Sequence, residues 1–369
     1  MAITKEHFQA VLSGAVKAGA SDLHFKVGTP IILRINGTLQ RVKGEPLVPG
    51  DTREIAELIV EGSNPPVDLN LLQEWDGSYS VSGMGRFRAN LFKQRNTFAA
   101  IMRVIPFEIP TIDGLGLPPV LRDIAMEERG LILVTGATGS GKSSALAAMI
   151  DHVNENKNCH ILTIEDPIEF MHRNKRASIS QREIGFDTSN FRVALRAALR
   201  QDPDVILVGE MRDTETIDIA LRASETGHVV MSTVHTTDAE KTIGRLIAVF
   251  PADEQPRVRL RIAENLKATI SLRLLPRSDV RGRVAAAEIM RATKTIEEFI
   301  RDPAKTSQMR DIMMSSREHY GMQTFDQHLF DLMRAGVLDY KTARAGSTNP
   351  YDFDRAVLLE SGGDIASEE

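Results

Sequence analysis

Residues 131–150 read LILVTGATGSGKSSALAAMI. The run LILVT is short, apolar and rich in strand formers. SALAAMI, from Ser144, has helix-forming composition. Between them lies GATGSGKS, residues 136–143, which matches G-x-x-x-x-G-K-[ST] in the strand–loop–helix setting that gives the pattern its meaning. The glycines let backbone N–H groups turn inward around phosphate oxygens, and the helix start adds its positive dipole end. Gly136, Ala137, Thr138, Gly139, Ser140, Gly141, Lys142, Ser143 and Ser144 are therefore the candidate phosphate-binding residues. Lys142 is placed to reach the β- and γ-phosphates, and Ser143 to ligate magnesium. An ordinary glycine-rich turn would not need this flanking order, so the stretch predicts nucleoside triphosphate binding.

Working outward, HILTIE, DVILVGE and VVMSTVH repeat the theme of short apolar runs with helical segments between them. Such runs signal parallel strands covered on both faces, so the chain from about 118 to 255 is predicted to be a doubly wound α/β core. Before it, residues 1–106 read as a small α+β domain. A helix covers 4–19, strands lie in SDLHFKVG and PIILRING, a helix capped by Asp51 or Thr52 lies in DTREIAELIVEG, and two or three strands lie in 78–104. IPFEIPTIDGLGLPP, residues 105–119, has the composition of a linker, placed at 107–117. After 255 the apolar spacing turns helical in RVRLRIAENLKATI, TIEEFIRD and TFDQHLFDLMRAG, which predicts a C-terminal helical subdomain over 256–350. Residues 351–369 end in SGGDIASEE and are expected to be a flexible tail.

The 369 residues carry 45 Lys and Arg against 50 Asp and Glu, a net charge of −5, so no global basic field points to nucleic acid. The single cysteine, Cys159, excludes an intrachain disulfide framework and any multi-cysteine zinc cluster. No stretch approaches the roughly 18 apolar residues of a membrane span, and MAITKEHFQA lacks the apolar core of a secretory signal. The chain is expected to be cytoplasmic, with no direct membrane insertion.

Ligands of open parallel sheets sit beyond the carboxyl ends of the strands. Polar residues recur there: Glu165 and Asp166 after HILTI, Glu210 after DVILVG, and His235 after VVMSTV. Glu210 is the candidate to orient or deprotonate the attacking water. Glu165 or Asp166 could hold magnesium through water. Asp166, followed by Pro167, suits a turn or helix cap equally well. His235 is a candidate to hydrogen-bond the γ-phosphate, and His228, at the far end of its strand, is a weaker one. Residues 171–200 carry seven basic side chains against Glu183 and Asp187. A subunit interface or solvated face accounts for them, since no aromatic interleaving supports base stacking.

GATGSGKSS, TIEDPIEF, ALRAALRQDPDVILVGEMRD and ETGHVVMSTVHTTDA resemble the Walker A, Asp box, Walker B and His box of type II/IV secretion ATPases, in the same order. The short N-terminal region with SDLHF and GRFRAN resembles the pilus-retraction branch, the PilT/PilU group. The resemblance covers about 5–345. It implies a RecA-like P-loop core with a PAS-like N-terminal domain, ATP rather than GTP, and Mg2+. It further implies a homo-hexameric ring at the inner face of the cytoplasmic membrane, docked to a PilC-like platform protein and driving pilus retraction and twitching motility. By resemblance too, arginines on the strands before the linker reach the γ-phosphate. Arg86, Arg88 and Arg103 qualify, a solvated basic face suits each of them equally well, and Arg88 and Arg103 are the candidates chosen among the three. Extension motors of the family carry a tetracysteine zinc module that one cysteine cannot build. KTIEEFIRD keeps Arg301 and the apolar Ile296, Phe299 and Ile300 of the AIRNLIRE-like retraction motif but not its Arg-Asn pair. The phosphate loop reads GAT rather than GPT. The GAT loop is nearer PilU, and GMQTFDQHLFDLMRAG is as similar to PilU as to PilT, so an accessory ATPase working with a paralogous motor is the alternative, and a RecA-type nucleic-acid motor a lesser one.

Overall fold

The computed structural model describes residues 3–35, 37–63, 65–81, 83–105 and 108–360. The chain divides into two compact units. One comprises Met1–Ile109 with Glu165–His172 and Gln181–Asn190. The other comprises Pro110–Ile164, Arg173–Ser180 and Phe191–Glu369.

In the first unit the order is α1 (Lys5–Lys17), β1 (Ala20–Lys26), β2 (Ile32–Ile35), β3 (Thr38–Arg41), α2 (Pro49–Val60), β4 (Glu74–Val81), β5 (Gly85–Gln94) and β6 (Thr97–Ile105). The strands form one antiparallel sheet in the order β3-β2-β1-β6-β5-β4. Arg95 and Asn96, both at positive φ, make the tight β5–β6 turn, a conformation that suits the right-handed strand twist. Phe8 and Leu12 of α1 and Ile55 and Ile59 of α2 pack with Leu23, Phe25, Phe87, Leu91 and Met102 of the sheet. The second helix starts at Pro49, two residues before the expected cap. Asp51 lies inside its first turn and accepts the Val48 amide at 2.8 Å, so the acid does cap the helix, but from within.

The second unit begins with α3 (Val120–Ala125) and β7 (Gly130–Thr135), followed by α4 (Lys142–Asn156), β8 (His160–Glu165), β9 (Ser178–Glu183), α5 (Phe191–Ala198), β10 (Val205–Val208), α6 (Thr214–Glu225), β11 (Val229–Val234), α7 (Ala239–Ala248) and α8 (Gln255–Asn265). Then come β12 (Leu266–Pro276), β13 (Arg283–Arg291), α9 (Lys294–Arg301), α10 (Met309–Ser315), α11 (Arg317–Tyr320), α12 (Phe325–Arg334), α13 (Tyr340–Gly346) and α14 (Pro350–Glu360). The seven-stranded sheet runs β13-β12-β7-β11-β10-β8-β9. Strands β8, β10, β11, β7 and β12 are parallel neighbours, as the continuous apolar runs require. All residues of β7, β10 and β11 are buried.

Three expectations are corrected. The stretch after 255 is not wholly helical. The helix in RVRLRIAENLKATI stops at Asn265, and LKATISLRLLP becomes β12, parallel to β7, with β13 antiparallel on its outer side. Burial of Leu266, Ala268, Ile270 and Leu272 against the sheet overrides the helical spacing. The 107–117 linker is also not a free connector. Pro106 and Phe107 lie outside the described residues, but Ile112 and Leu117 are buried in the core of the second unit. Finally, the tail is ordered as far as α14. Phe353 and Val357, one turn apart, enter a cluster with Phe325, Leu329 and Leu338, while 361–369 lie outside the described residues.

Phe353 is 1% exposed and Tyr351 81% exposed. Phe353→Ala is expected to lower the unfolding free energy by about 3 kcal/mol or more, as loss of a buried aromatic does, and Tyr351→Ala by almost nothing. Urea unfolding checks this, and equal midpoints for the two variants would return α14 to the status of a frayed tail.

Candidate active site

The phosphate loop is built by two constraints on its ends. Strand β7 is held on both sides, by β11 and β12, and Thr135 at its tip donates to the Ser271 hydroxyl at 2.9 Å. Gly136 follows with φ of 143°, and a Cβ there would sit 2.4 Å from Ser140 Oγ and 2.6 Å from the Leu272 carbonyl oxygen. No other residue fits. Gly139 and Gly141 also take positive φ, and Gly141 is the residue on which α4 starts. Lys142, Ser143 and Ser144 are the first three residues of α4, so their amides have no partner within the helix and face the loop. Ala137, Thr138 and Gly139 form the exposed rim. The Lys142 side chain is buried and donates to the carbonyls of Gly136 and Ala137, both at 2.9 Å. The Ser140 hydroxyl is buried with no hydrogen-bond partner among the described residues. A glycine-lined concavity, a buried ammonium and an unsatisfied hydroxyl fit a phosphate group.

Two strand tips bring their side chains together. Glu210 follows β10 and Gly209, and its carboxylate accepts from Arg212 Nε at 2.7 Å. His235 follows β11, with Nε2 3.8 Å from the other Glu210 oxygen. Strand β11 also sets the Glu210 backbone. The Thr233 hydroxyl donates to the Gly209 carbonyl at 2.6 Å, and the Ser232 hydroxyl to that of Val208 at 2.7 Å. Burial holds the His235 imidazole below its usual range, and the nearby Lys142 charge adds to this against the opposing pull of Glu210. His235 is therefore a neutral hydrogen-bonding group near pH 7. Arg212, Thr233 and Ser140's lack of a partner were not singled out from sequence. EMRD does contain Arg212, but only the turn after Gly209 folds it back onto Glu210.

The remaining sequence candidates have other immediate surroundings. His228 is not at this end of the sheet; its Nδ1 donates to the Ala223 carbonyl at 2.9 Å at the C-terminus of α6. Glu165 ends β8 and groups with the first unit, where its carboxylate accepts from Gln181 Nε2 at 3.1 Å and the Glu169 amide at 3.4 Å. Arg103 lies in the same unit and donates to Asp22 at 2.8 Å. Burial resists ionisation of Asp22, but hydrogen bonds from Arg103 and Ser21 outweigh it and hold the carboxyl below its usual range. Arg88 is exposed on β5, directly across from Arg103, and makes no ion pair among the described residues. Arg86 is committed to Glu183, a carboxylate only 1% exposed that also accepts from the Ser78 hydroxyl at 2.5 Å and the Ile168 amide at 3.0 Å. The basic run is partly neutralised in place, Arg192 and Arg196 by Glu215 and Lys175 by Asp151 and Glu155.

With this geometry in view, comparison with known proteins is decisive. The profile of the type II/IV secretion system protein family matches residues 1–334. The chain belongs to that family. It is 44% identical over 345 residues to the type IV pilus retraction ATPase PilT of Pseudomonas aeruginosa, covering 93% of this chain and 98% of that protein. It is 39% identical over 357 residues to the type IV pilus ATPase PilU of the same organism, covering 97% and 93%. The crystal structure of the pilus retraction motor PilT with bound ADP superposes with a TM-score of 0.85 at 41% identity, covering 94% of this chain and 98% of that one. In this family member, then, an α/β nucleotide-binding core and a small N-terminal unit make up the described chain. Among the described residues no helix is long and apolar enough to cross a membrane.

The Lys142 charge is one of the causes that hold the His235 imidazole low. Lys142→Ala is therefore expected to raise the His235 titration midpoint, read from imidazole proton resonances against pH. An unchanged midpoint would separate the two groups electrostatically.

Proposed function

We propose that the chain is an ATPase that powers type IV pilus retraction and twitching motility as a homo-hexameric ring. The single observation that carries the reading is the meeting, at one edge of one sheet, of the Gly136–Ser143 cradle and the Glu210–His235 pair. The cradle amides and Lys142 would hold the phosphates of ATP, and Ser143 would ligate Mg2+, with Glu165 touching its hydration shell. Bound Mg2+ would supply neutralisation of phosphate charge. Glu210 takes the role of orienting and deprotonating the attacking water, with Arg212 fixing its rotamer. Neutral His235 reports the γ-phosphate through a hydrogen bond. Arg88 and Arg103 are the proposed cations that neutralise charge on the phosphoryl group. Of the two, Arg88 needs no partner exchange, whereas Arg103 must leave Asp22.

Contacts with ATP that are lost on hydrolysis change the equilibrium between arrangements of the two units. Work would pass to a PilC-like platform protein at the inner face of the cytoplasmic membrane, which places the motor in the cytoplasm and peripheral to that membrane. The similarity to PilU and the missing Arg-Asn pair in KTIEEFIRD support a second reading, an accessory ATPase that acts with a paralogous motor.

Glu210→Gln is expected to keep nucleotide affinity within a few-fold and to lower turnover by about 100-fold or more, the scale of a lost general base. Wild-type turnover in that variant would remove Glu210 from the chemistry. In cells lacking the gene, complementation with Lys142→Ala should fail to restore twitching. Restoration by that variant would favour the accessory reading.

A further inference from the structure

Glu288 lies in the middle of β13, in a stretch of small and apolar residues (VAAAEIM), and is only 5% exposed. A carboxylate in that setting needs a reason, because burial of an ion is costly unless it is hydrogen-bonded or paired. Its Oε1 accepts the backbone amide of Ala239 at 2.9 Å. Ala239 is the first residue of α7, and four residues earlier the same connection carries His235. The start of α7 is tied down twice more. Asp238 accepts the Lys241 amide at 2.8 Å, and the Thr236 and Thr242 hydroxyls meet at 2.6 Å.

We propose that Glu288 is a positioning residue of the nucleotide site, holding the first turn of α7 from β13 and thereby the placement of His235. This rests on the ATPase reading above.

The anchor is itself held from its other side. Ala287 donates its amide to His328 Nδ1 of α12 at 2.9 Å, and its carbonyl accepts from Gln323 Nε2 at 2.8 Å. Ile289 pairs with the Gln323 backbone in both directions, at 2.8 and 3.0 Å. A continuous set of contacts therefore runs from α12 through Ala287 and Glu288 to Ala239 and the connection that carries His235. The charged and titratable groups facing this stretch are Asp238 at the start of α7, Arg273 on β12, Arg310 on α10, and Asp326 and His328 on α12. Burial pushes the Glu288 carboxyl up to about 7, helped by Asp238 and opposed by the Ala239 hydrogen bond and the Arg273 and Arg310 charges. Burial holds His328 down at about 4, so it stays neutral and keeps its acceptor nitrogen for Ala287 across the range where Glu288 titrates. Ionised Glu288 grips a helix start more strongly than the neutral acid does. The grip is fully present above about pH 7 and weakens as pH falls through it.

The test uses the full chain with Glu288→Ala and Glu288→Gln. Glu288→Ala is expected to raise amide exchange over residues 239–242 by about tenfold, the scale of a lost hydrogen bond to a charged acceptor. It should also lower kcat by about tenfold or more while KM stays within about twofold, as a displaced reacting group does. Glu288→Gln keeps an acceptor oxygen for Ala239. Its kcat should lie near the low-pH value of the wild type and lack the inflection near pH 7 that wild-type kcat shows. Wild-type exchange at 239–242 in Glu288→Ala, or a surviving inflection in Glu288→Gln, overturns the proposal. The exchange measurement needs no turnover, so a chain without ATPase activity would defeat the functional reading while exchange still decides whether Glu288 holds α7.

Discussion

The close approach of the Leu272 carbonyl and the Ser140 side chain to Gly136 is the constraint on which the site depends. The residue must turn the chain out of β7, admit the Leu272 carbonyl of β12 and leave room for the Ser140 side chain. Any Cβ would push one of these aside. The loop can occupy so tight a path only because β7 is buried along its length and paired on both edges. Amides that converge on one point are useful only when they are held there before a ligand arrives, which a frame of paired strands achieves.

The charges at the same edge are arranged so that none stands isolated. Lys142 is satisfied by carbonyls of its own loop, and Glu210 by Arg212. His235, close to both Lys142 and Glu210, is kept neutral by burial and by the lysine. A neutral imidazole can bind a phosphate oxygen or release it with little change in desolvation cost. That suits the proposed role of His235 in reporting the γ-phosphate. The first unit shows the opposite strategy. Glu183 is a buried carboxyl group, and it is tolerated because Arg86, Ser78 and the Ile168 amide all donate to it.

Much of the core was legible because its signals are local. Four apolar runs of strand length, each ending in a polar residue, specify a parallel sheet, and GATGSGKS specifies the tight turn that leaves β7. The elements misread were those whose local signal was weak. LKATISLRLL can be spaced along a helix or alternated along a strand, and only the open edge of β7 chooses. Of the apolar residues in YDFDRAVLL only Phe353 and Val357 are buried, and their helix is stable only because a pocket beside Phe325 and Leu329 takes them in.

The amino-acid order by itself determined the phosphate loop, the acids and the histidine at the strand ends, and the family, since each depends on residues adjacent in the chain or on one strand. Only the tertiary structure decided which arginine is already bound to a carboxylate, that Arg212 folds onto Glu210, and that Glu288 reaches a helix start 49 residues away. Those pairings join residues that no periodicity relates. Their geometry is set by how sheets and helices pack, and packing depends on the whole chain.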